Sequence, residues 1–245
     1  MKHHFQRFLR HRIKPITALI AIRRLLQNPD DTTQVFKIIQ ALSGNNIRYP
    51  VDRLRREPGG AEMLAIKPDI VAVLNDRERL AQMPAGSIGR AYYNFVHREN
   101  LSADGLVESS KDSRAKEWFT AEERWTADRL RDIHDLQHVL TGYGRDPVGE
   151  LSLLAFMTTQ VPNRGIDFII FMAKRKYQRE MPKLDIAALI DEGRRLGKSA
   201  AWMLAVPWED RLHEPLDEVR ASLGFTPVSA YQAAADTWTD LAQAA

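Results

Sequence analysis

The residues best equipped for chemistry lie in one stretch, His134-Asp135-Leu136-Gln137-His138, followed by Glu150. Two histidines at i and i+4 share one face of a helix, about 40° apart around its axis, and Asp135 projects about 60° beyond His138. The segment Thr141-Gly142-Tyr143-Gly144-Arg145-Asp146-Pro147 then carries glycine where a helix end wants left-handed backbone. Asp146 and Pro147 read as the N-cap and first position of the next helix, with Glu150 in its first turn. A short loop makes consecutive helices antiparallel neighbours, so two imidazoles and up to two carboxylates converge without any long-range assumption. That donor set suits a borderline divalent cation such as zinc. It has a second reading. Arg124, Asp128, Arg131, Asp135 and His138 also repeat at helical spacing and could form a solvated stripe laced with ion pairs.

The elements that must position these groups read as helices. Thr120-Ala121-Glu122-Glu123 is a capping box that opens a central helix running to about Thr141, buried through Leu130, Ile133, Leu136 and Leu140. The following helix carries Leu151 to Met157 and stops at Pro162. An apolar run from Ile166 to Ala173 comes next, and Lys174, Arg175, Lys176 and Arg179 border it. Helical patterns also cover Asp31 to Leu42, short pieces between Gly60 and Ala81, the aromatic stretch from Ser87 to Val96, Asp185 to Leu204, and Pro215 to Leu223. No long alternating β-branched run, glycine-rich phosphate loop or Cys/His finger is present. The expected fold is all-α, a single multi-helix domain with the metal site between two antiparallel helices. A basic amphipathic segment (1–29) precedes the helical domain (30–228), and an alanine-rich tail (229–245) expected to fray follows it.

Size and composition agree with such a domain. A chain of 245 residues, 44% hydrophobic and 27% charged, buries a sufficient core without disulfides, and there is no cysteine to form one or to act as a thiolate ligand. A net charge of +3 gives no reason to expect nucleic acid as a partner. Residues 1–29 hold seven cations and no acid, with Phe5, Leu9, Ile13, Ile16, Ile20 and Leu26 at roughly helical spacing. The segment reads as a helix touching anionic lipid, as a surface helix packed on the body, or as a serine-poor transit segment.

These residues resemble a known family. His134-Asp135-x-x-His138, eleven residues and then Glu150 is similar to the HDxxH-x11-E signature of the Coq-four family of ubiquinone (coenzyme Q) biosynthesis proteins. Leu80, Pro84, Gly86-Ser87-Ile88-Gly89, Tyr92 and Phe95 match a second block of that family, with serine in place of threonine. Trp208-Glu209, Leu216 and Leu223-Gly224 match a third. The resemblance covers residues 50–225, leaving the basic start and the tail unmatched. It implies an all-α homodimer at the membrane surface, on the cytoplasmic face of a bacterial inner membrane or on the mitochondrial inner membrane, working with other coenzyme Q biosynthesis enzymes. It implies His134, Asp135, His138 and Glu150 as ligands of one divalent ion, zinc first and manganese, iron or cobalt as alternatives. The implied substrate is a polyprenylated 4-hydroxybenzoate precursor, whose ring carboxyl is removed or, in the oxidative version, replaced by hydroxyl. Its long tail needs an apolar groove, for which Tyr92, Phe95, Leu153, Phe156 and Met157, with Tyr93 and the rest of the 151–173 segment, are the expected wall.

Three rival readings make different demands. A non-catalytic organiser would bind prenyl lipid and other biosynthetic enzymes around a structural metal. A phosphohydrolase of the His-Asp type would draft His97, His134-Asp135 and Asp167, and would leave Glu150 without a role. A zincin-type peptidase needs glutamate where Asp135 stands.

Overall fold

The computed structural model describes residues 13–29, 31–42, 46–102, 104–105, 107 and 119–243. The cationic residues from Lys2 to Arg12, with Phe5 and Leu9, lie outside them, as do Glu108, Lys111, Asp112, Arg114 and Lys116 of the polar stretch after residue 100. Among the described residues the chain is helical throughout and forms no strand; one isolated antiparallel bridge joins Ser87 to Pro215. The helices are α1 (Pro15–Gln27), α2 (Thr32–Leu42), α3 (Arg48–Leu54), α4 (Gly60–Ile66), α5 (Ile70–Asn75), α6 (Arg77–Gln82), α7 (Ile88–Arg98), α8 (Ala121–Asp132), α9 (His134–Thr141), α10 (Pro147–Gln160), α11 (Arg164–Glu180) and α12 (Ile186–Ser199). A 3-10 turn (Met203–Ala205) follows, then α13 (Trp208–Arg211), α14 (Leu216–Ser222) and α15 (Ser229–Gln243).

Polar caps set the register of many of these helices. Thr120 and Glu123 close the expected capping box at the start of α8. Asp146 accepts from the Val148 and Gly149 amides at the start of α10, and Asn163 accepts from Gly165 and Ile166 at the start of α11. Such caps satisfy amides that have no partner within the helix.

The axis of the fold is α10. It lacks a polar face: Val148, Leu151, Ser152, Leu153, Ala155 and Phe156 are all buried. A helix apolar all round must be surrounded, and α12 packs along it, with α11 and α15 also against it. Gln160 at its end ties the far side together, donating to Gly197 O at 2.7 Å and accepting from Met203 N at 2.9 Å. Outside this core, α1 and α2 form a hairpin laid on α11 through Ala21, Ile22, Leu25, Ile38 and Ile169.

Three expectations change. The central helix is two helices, because Ile133 adopts φ −85° and ψ 3°, although the hydrogen bonds Ile133 N to Arg129 O and Gln137 N to Ile133 O run through the break. On α1 the packed residues are Ala18, Ala21, Ile22 and Leu25, whereas Ile13, Ile16, Leu19 and Ile20 stay exposed. The helix therefore has one apolar face on the body and a second one free. The tail is a helix whose first turns are docked: Tyr231 and Ala234 are buried against the core.

A buried charge holds the C-terminal part. Arg129, 1% exposed, donates to Leu204 O at 3.3 Å and Val206 O at 2.9 Å, and forms a two-pronged pair with Glu209. Removing one partner of such a pair leaves the other charge desolvated and alone. Glu209→Ala is expected to cost about 3 kcal/mol or more of folding stability, and the Arg129→Met/Glu209→Leu double variant clearly less. Denaturant melts of the three proteins check this; a single variant as stable as the parent would contradict it.

A candidate metal centre at the head of an apolar cavity

The site is built by a turn. The helix α9 ends at Gly142, whose φ of +84° is the left-handed cap expected there and whose amide donates to His138 O at 2.9 Å. The chain then doubles back so tightly that a Cβ on Gly149 would lie 2.3 Å from Gly144 O. This close approach brings Glu150 against both histidines. Its Oε2 is 3.9 Å from His134 Nε2 and its Oε1 is 3.5 Å from His138 Nε2, and the three potential ligand atoms lie within 4.8 Å of one another. A tetrahedral zinc ion with ligands at about 2.0–2.2 Å holds its donors about 3.3–3.6 Å apart, so a small contraction suffices. Three protein ligands also leave a fourth position open, the pattern of catalytic rather than structural zinc.

The tautomers suit this use. His138 Nδ1 lies 3.0 Å from Tyr143 O and must donate to it, which leaves the Nε2 lone pair facing Glu150. That nitrogen is buried and has no hydrogen-bond partner, an arrangement that costs stability unless something binds there. Phe95 stacks on the same ring at 5.3 Å and fixes its plane.

Asp135 takes a place different from the one expected. Its Oδ1 lies 3.1 Å from His134 Nδ1, behind the imidazole, and it is not part of the three-residue cluster. The helical rotation of about 100° per residue carries it off the face shared by the two histidines. A carboxylate there orients the ring and raises its basicity. Burial opposes charging of His134, but the Asp135 hydrogen bond and the Glu150 and Asp135 charges outweigh it and raise its pKa. For Glu150, burial works against ionisation, yet protonated His138 and His134 and the Arg145 cation bring its pKa down to about 2; a bound cation would take the place of those protons.

The polar stripe of the sequence divides in two. Arg131 pairs with Asp128 at 2.9 Å and with Asp132 at 2.6 Å, so the ion pairs of the second reading are present, but Arg131 is largely buried and lines the cavity rather than a solvated face. Asp135 and His138 turn inward as well.

The cluster opens into a cavity of about 750 Å³. Its polar end holds His134, Asp135, Gln137, Arg145 and Glu150, with Arg145 Nε 3.7 Å from Glu150 Oε1. The remaining wall is largely apolar and comes from α1, α2, α8, α10 and α11. Tyr177 on that wall has its phenol pushed up to about 12, first by burial and then by Glu180, so it stays neutral. Of the five residues named for the wall only Met157 lines the cavity, with others of the 151–173 segment. Tyr92, Phe95, Leu153 and Phe156 are core residues instead. Both faces of α10 are apolar, and hydrophobicity alone did not say which one meets the void: it is the face of Leu151, Leu154 and Met157. The part played by α1 and α2, through Leu25, Leu26, Val35, Phe36 and Ile39, had no local signal at all. Arg145 had one, since it falls inside the loop joining His138 to Glu150.

Fold and site together define an all-helical protein with a candidate metal centre facing an apolar chamber. The model of the family described as coenzyme Q (ubiquinone) biosynthesis protein Coq4 matches residues 10–229, and the chain belongs to that family. It is a ubiquinone biosynthesis protein. The match reaches well into the basic N-terminal segment, further than residues 50–225. The chain is 26% identical over 219 residues to the mitochondrial ubiquinone biosynthesis protein COQ4 homolog of Rattus norvegicus, covering 87% of this chain and 78% of that one. It is 30% identical over 180 residues to the Bos taurus homolog, covering 71% and 64% respectively. The crystal structure of a putative ubiquinone biosynthesis protein from Nostoc punctiforme shares the fold with a TM-score of 0.63 at 21% identity, over 86% of this chain and 98% of that one.

If His134, His138 and Glu150 ligate and Asp135 supports from behind, His138→Ala abolishes metal retention. Asp135→Asn weakens it by about 10–100-fold. Elemental analysis after dialysis, with folding checked by circular dichroism, separates the cases. A loss in Asp135→Asn as complete as in His138→Ala would put Asp135 among the ligands.

Proposed function

We propose that this protein removes the ring carboxyl group of a polyprenylated 4-hydroxybenzoate precursor, using a divalent ion held by His134, His138 and Glu150. The observation that carries this reading is that one cavity is lined both by His134 and Glu150 of the donor cluster and by a largely apolar wall. A prenylated aromatic acid has the same polarity, an anionic ring at one end and a hydrocarbon tail at the other. The bound ion supplies Lewis acidity and an open coordination position. The chain supplies the remainder. Arg145 offers a cation to the substrate's carboxylate as it enters, and Asp135, hydrogen-bonded to His134 from behind, holds that ring in place. In the simple reaction a proton adds to the ring carbon bearing the carboxylate, the carbon–carbon bond electrons return to the ring, and carbon dioxide leaves. The oxidative version puts hydroxyl at that carbon; it consumes dioxygen and water and releases hydrogen peroxide with the carbon dioxide.

We place this work at a membrane surface. Among the described residues no helix is long and apolar enough to cross a bilayer. The free face of α1 has Ile16 at 72% exposure beside Ile13, Leu19 and Ile20, with Arg23 and Arg24 exposed one turn on. Exposed Phe171 and Arg175 on α11 add the same chemistry. Apolar side chains to insert and cations for anionic headgroups are what an interfacial helix needs. The same helix lines the cavity with Leu25 and Leu26, which favours loading of a lipid substrate from the bilayer.

Two experiments test these statements. Metal-loaded protein given a polyprenylated 4-hydroxybenzoate labelled in the carboxyl carbon is expected to release labelled carbon dioxide, and His134→Ala/His138→Ala is not. A loaded parent that binds the lipid but releases nothing would leave the non-catalytic organiser. Sedimentation with vesicles containing anionic lipid is expected to carry down the parent and to lose most of an Ile16→Asp/Ile20→Asp variant. Undiminished binding, with a dimer converted to monomer, would make this face a subunit interface instead.

A further inference from the structure

The loop that brings His138 to Glu150 is held from outside by the C-terminal helix, and one side chain does the holding. The Tyr231 hydroxyl accepts from Gly144 N at 2.8 Å and donates to Asp146 Oδ2. The other oxygen of Asp146 caps α10, accepting from Val148 N and Gly149 N at 3.1 and 2.9 Å, immediately before Glu150. The Tyr231 ring meets Tyr143 edge-on at 5.3 Å, and Tyr143 O is the acceptor that fixes His138 Nδ1. Tyr231 thus touches both sides of the turn, the residue that orients one histidine and the cap that orients the glutamate. Its own position is fixed by Glu192 of α12, whose carboxylate accepts from Ala230 N at 2.8 Å and Tyr231 N at 3.1 Å. Asp146 does not need Tyr231 to cap α10, and Tyr231 does not need a hydroxyl to fill its place in the core. The bridge satisfies the Gly144 amide and ties the cap of α10 to the C-terminal helix.

We infer that Tyr231 is a positioning residue for the candidate metal centre, setting the separation of His138 and Glu150 through the turn 142–146. The inference rests on the reading of His134, His138 and Glu150 as a metal centre. It assigns to the C-terminal helix, whose residue 231 lies just past the family match ending at 229, a part in the site.

The test is a cobalt(II) titration of the full chain, because cobalt absorption bands report coordination geometry as well as affinity. Tyr231→Phe keeps the ring and removes the bridge; it is expected to weaken cobalt binding about 10–100-fold and to change the band pattern. Glu192→Gln, which loosens the seat of Tyr231, shifts affinity in the same direction. Trp238→Ala, on the same helix and partly buried against the core, lowers the melting temperature of the metal-free protein and leaves cobalt affinity unchanged. Parent-like binding by Tyr231→Phe overturns the inference alone, and so does a parallel loss in Trp238→Ala, which would make the helix merely structural. A parent that takes up no cobalt overturns the metal centre and this inference with it.

Discussion

The structure depends on how a buried imidazole is satisfied. His138 lies in the core with one nitrogen committed to the Tyr143 carbonyl and the other facing a carboxylate it does not reach. Leaving a buried polar atom unpaired costs about 1–3 kcal/mol, a cost that a cation bound at this nitrogen would offset. The surroundings are arranged to hold it so. Phe95 stacks on the ring, Gly142 turns the chain away from the helix end, and Gly149 lets the loop close against α10. The apolar α10 must be enclosed to exist as a helix in water, and of the helices that enclose it α11 also makes part of the wall of the cavity.

A second buried charge does different work. Arg129 is locked by Glu209 and by two carbonyls, and every donor that faces inward is used. It faces the 3-10 turn rather than the cavity, and it explains why a Trp-Glu pair should stand at positions 208 and 209. Trp208 fills the core and donates to Met203 O, and Glu209 neutralises the arginine. The contrast with His138 is instructive. Both side chains are polar and buried, but Arg129 makes four hydrogen bonds while one nitrogen of His138 makes none.

What the sequence made legible is what depends on neighbours in the chain. The helix pair, its glycine cap, the Asp146–Pro147 start and the convergence of His134, His138 and Glu150 all follow from spacing within a few turns. The all-α class followed from periodicity. Asp135 already projected about 60° beyond His138 in helical geometry, and in the fold it meets His134 Nδ1 from behind. The cavity wall was misjudged for a different reason. Tyr92, Leu153 and Phe156 are as apolar as Leu151, Leu154 and Met157, and only the packing of distant α1, α2 and α12 decides which set faces a void. Arg129 with Glu209 and Tyr231 with Asp146 were invisible because each pair is separated by some eighty residues.

That difference in sequence separation has a kinetic side. The three donor atoms come from a stretch of seventeen residues, 134–150, so closing it involves little loop entropy and only local contacts. The bridge from Tyr231 spans eighty-five residues and requires α12 and α15 to be in place. During synthesis the donors leave the ribosome well before the chain that braces them. Because α10 is enclosed by α11, α12 and α15, the helix that carries Glu150 is itself complete only when the last helices arrive.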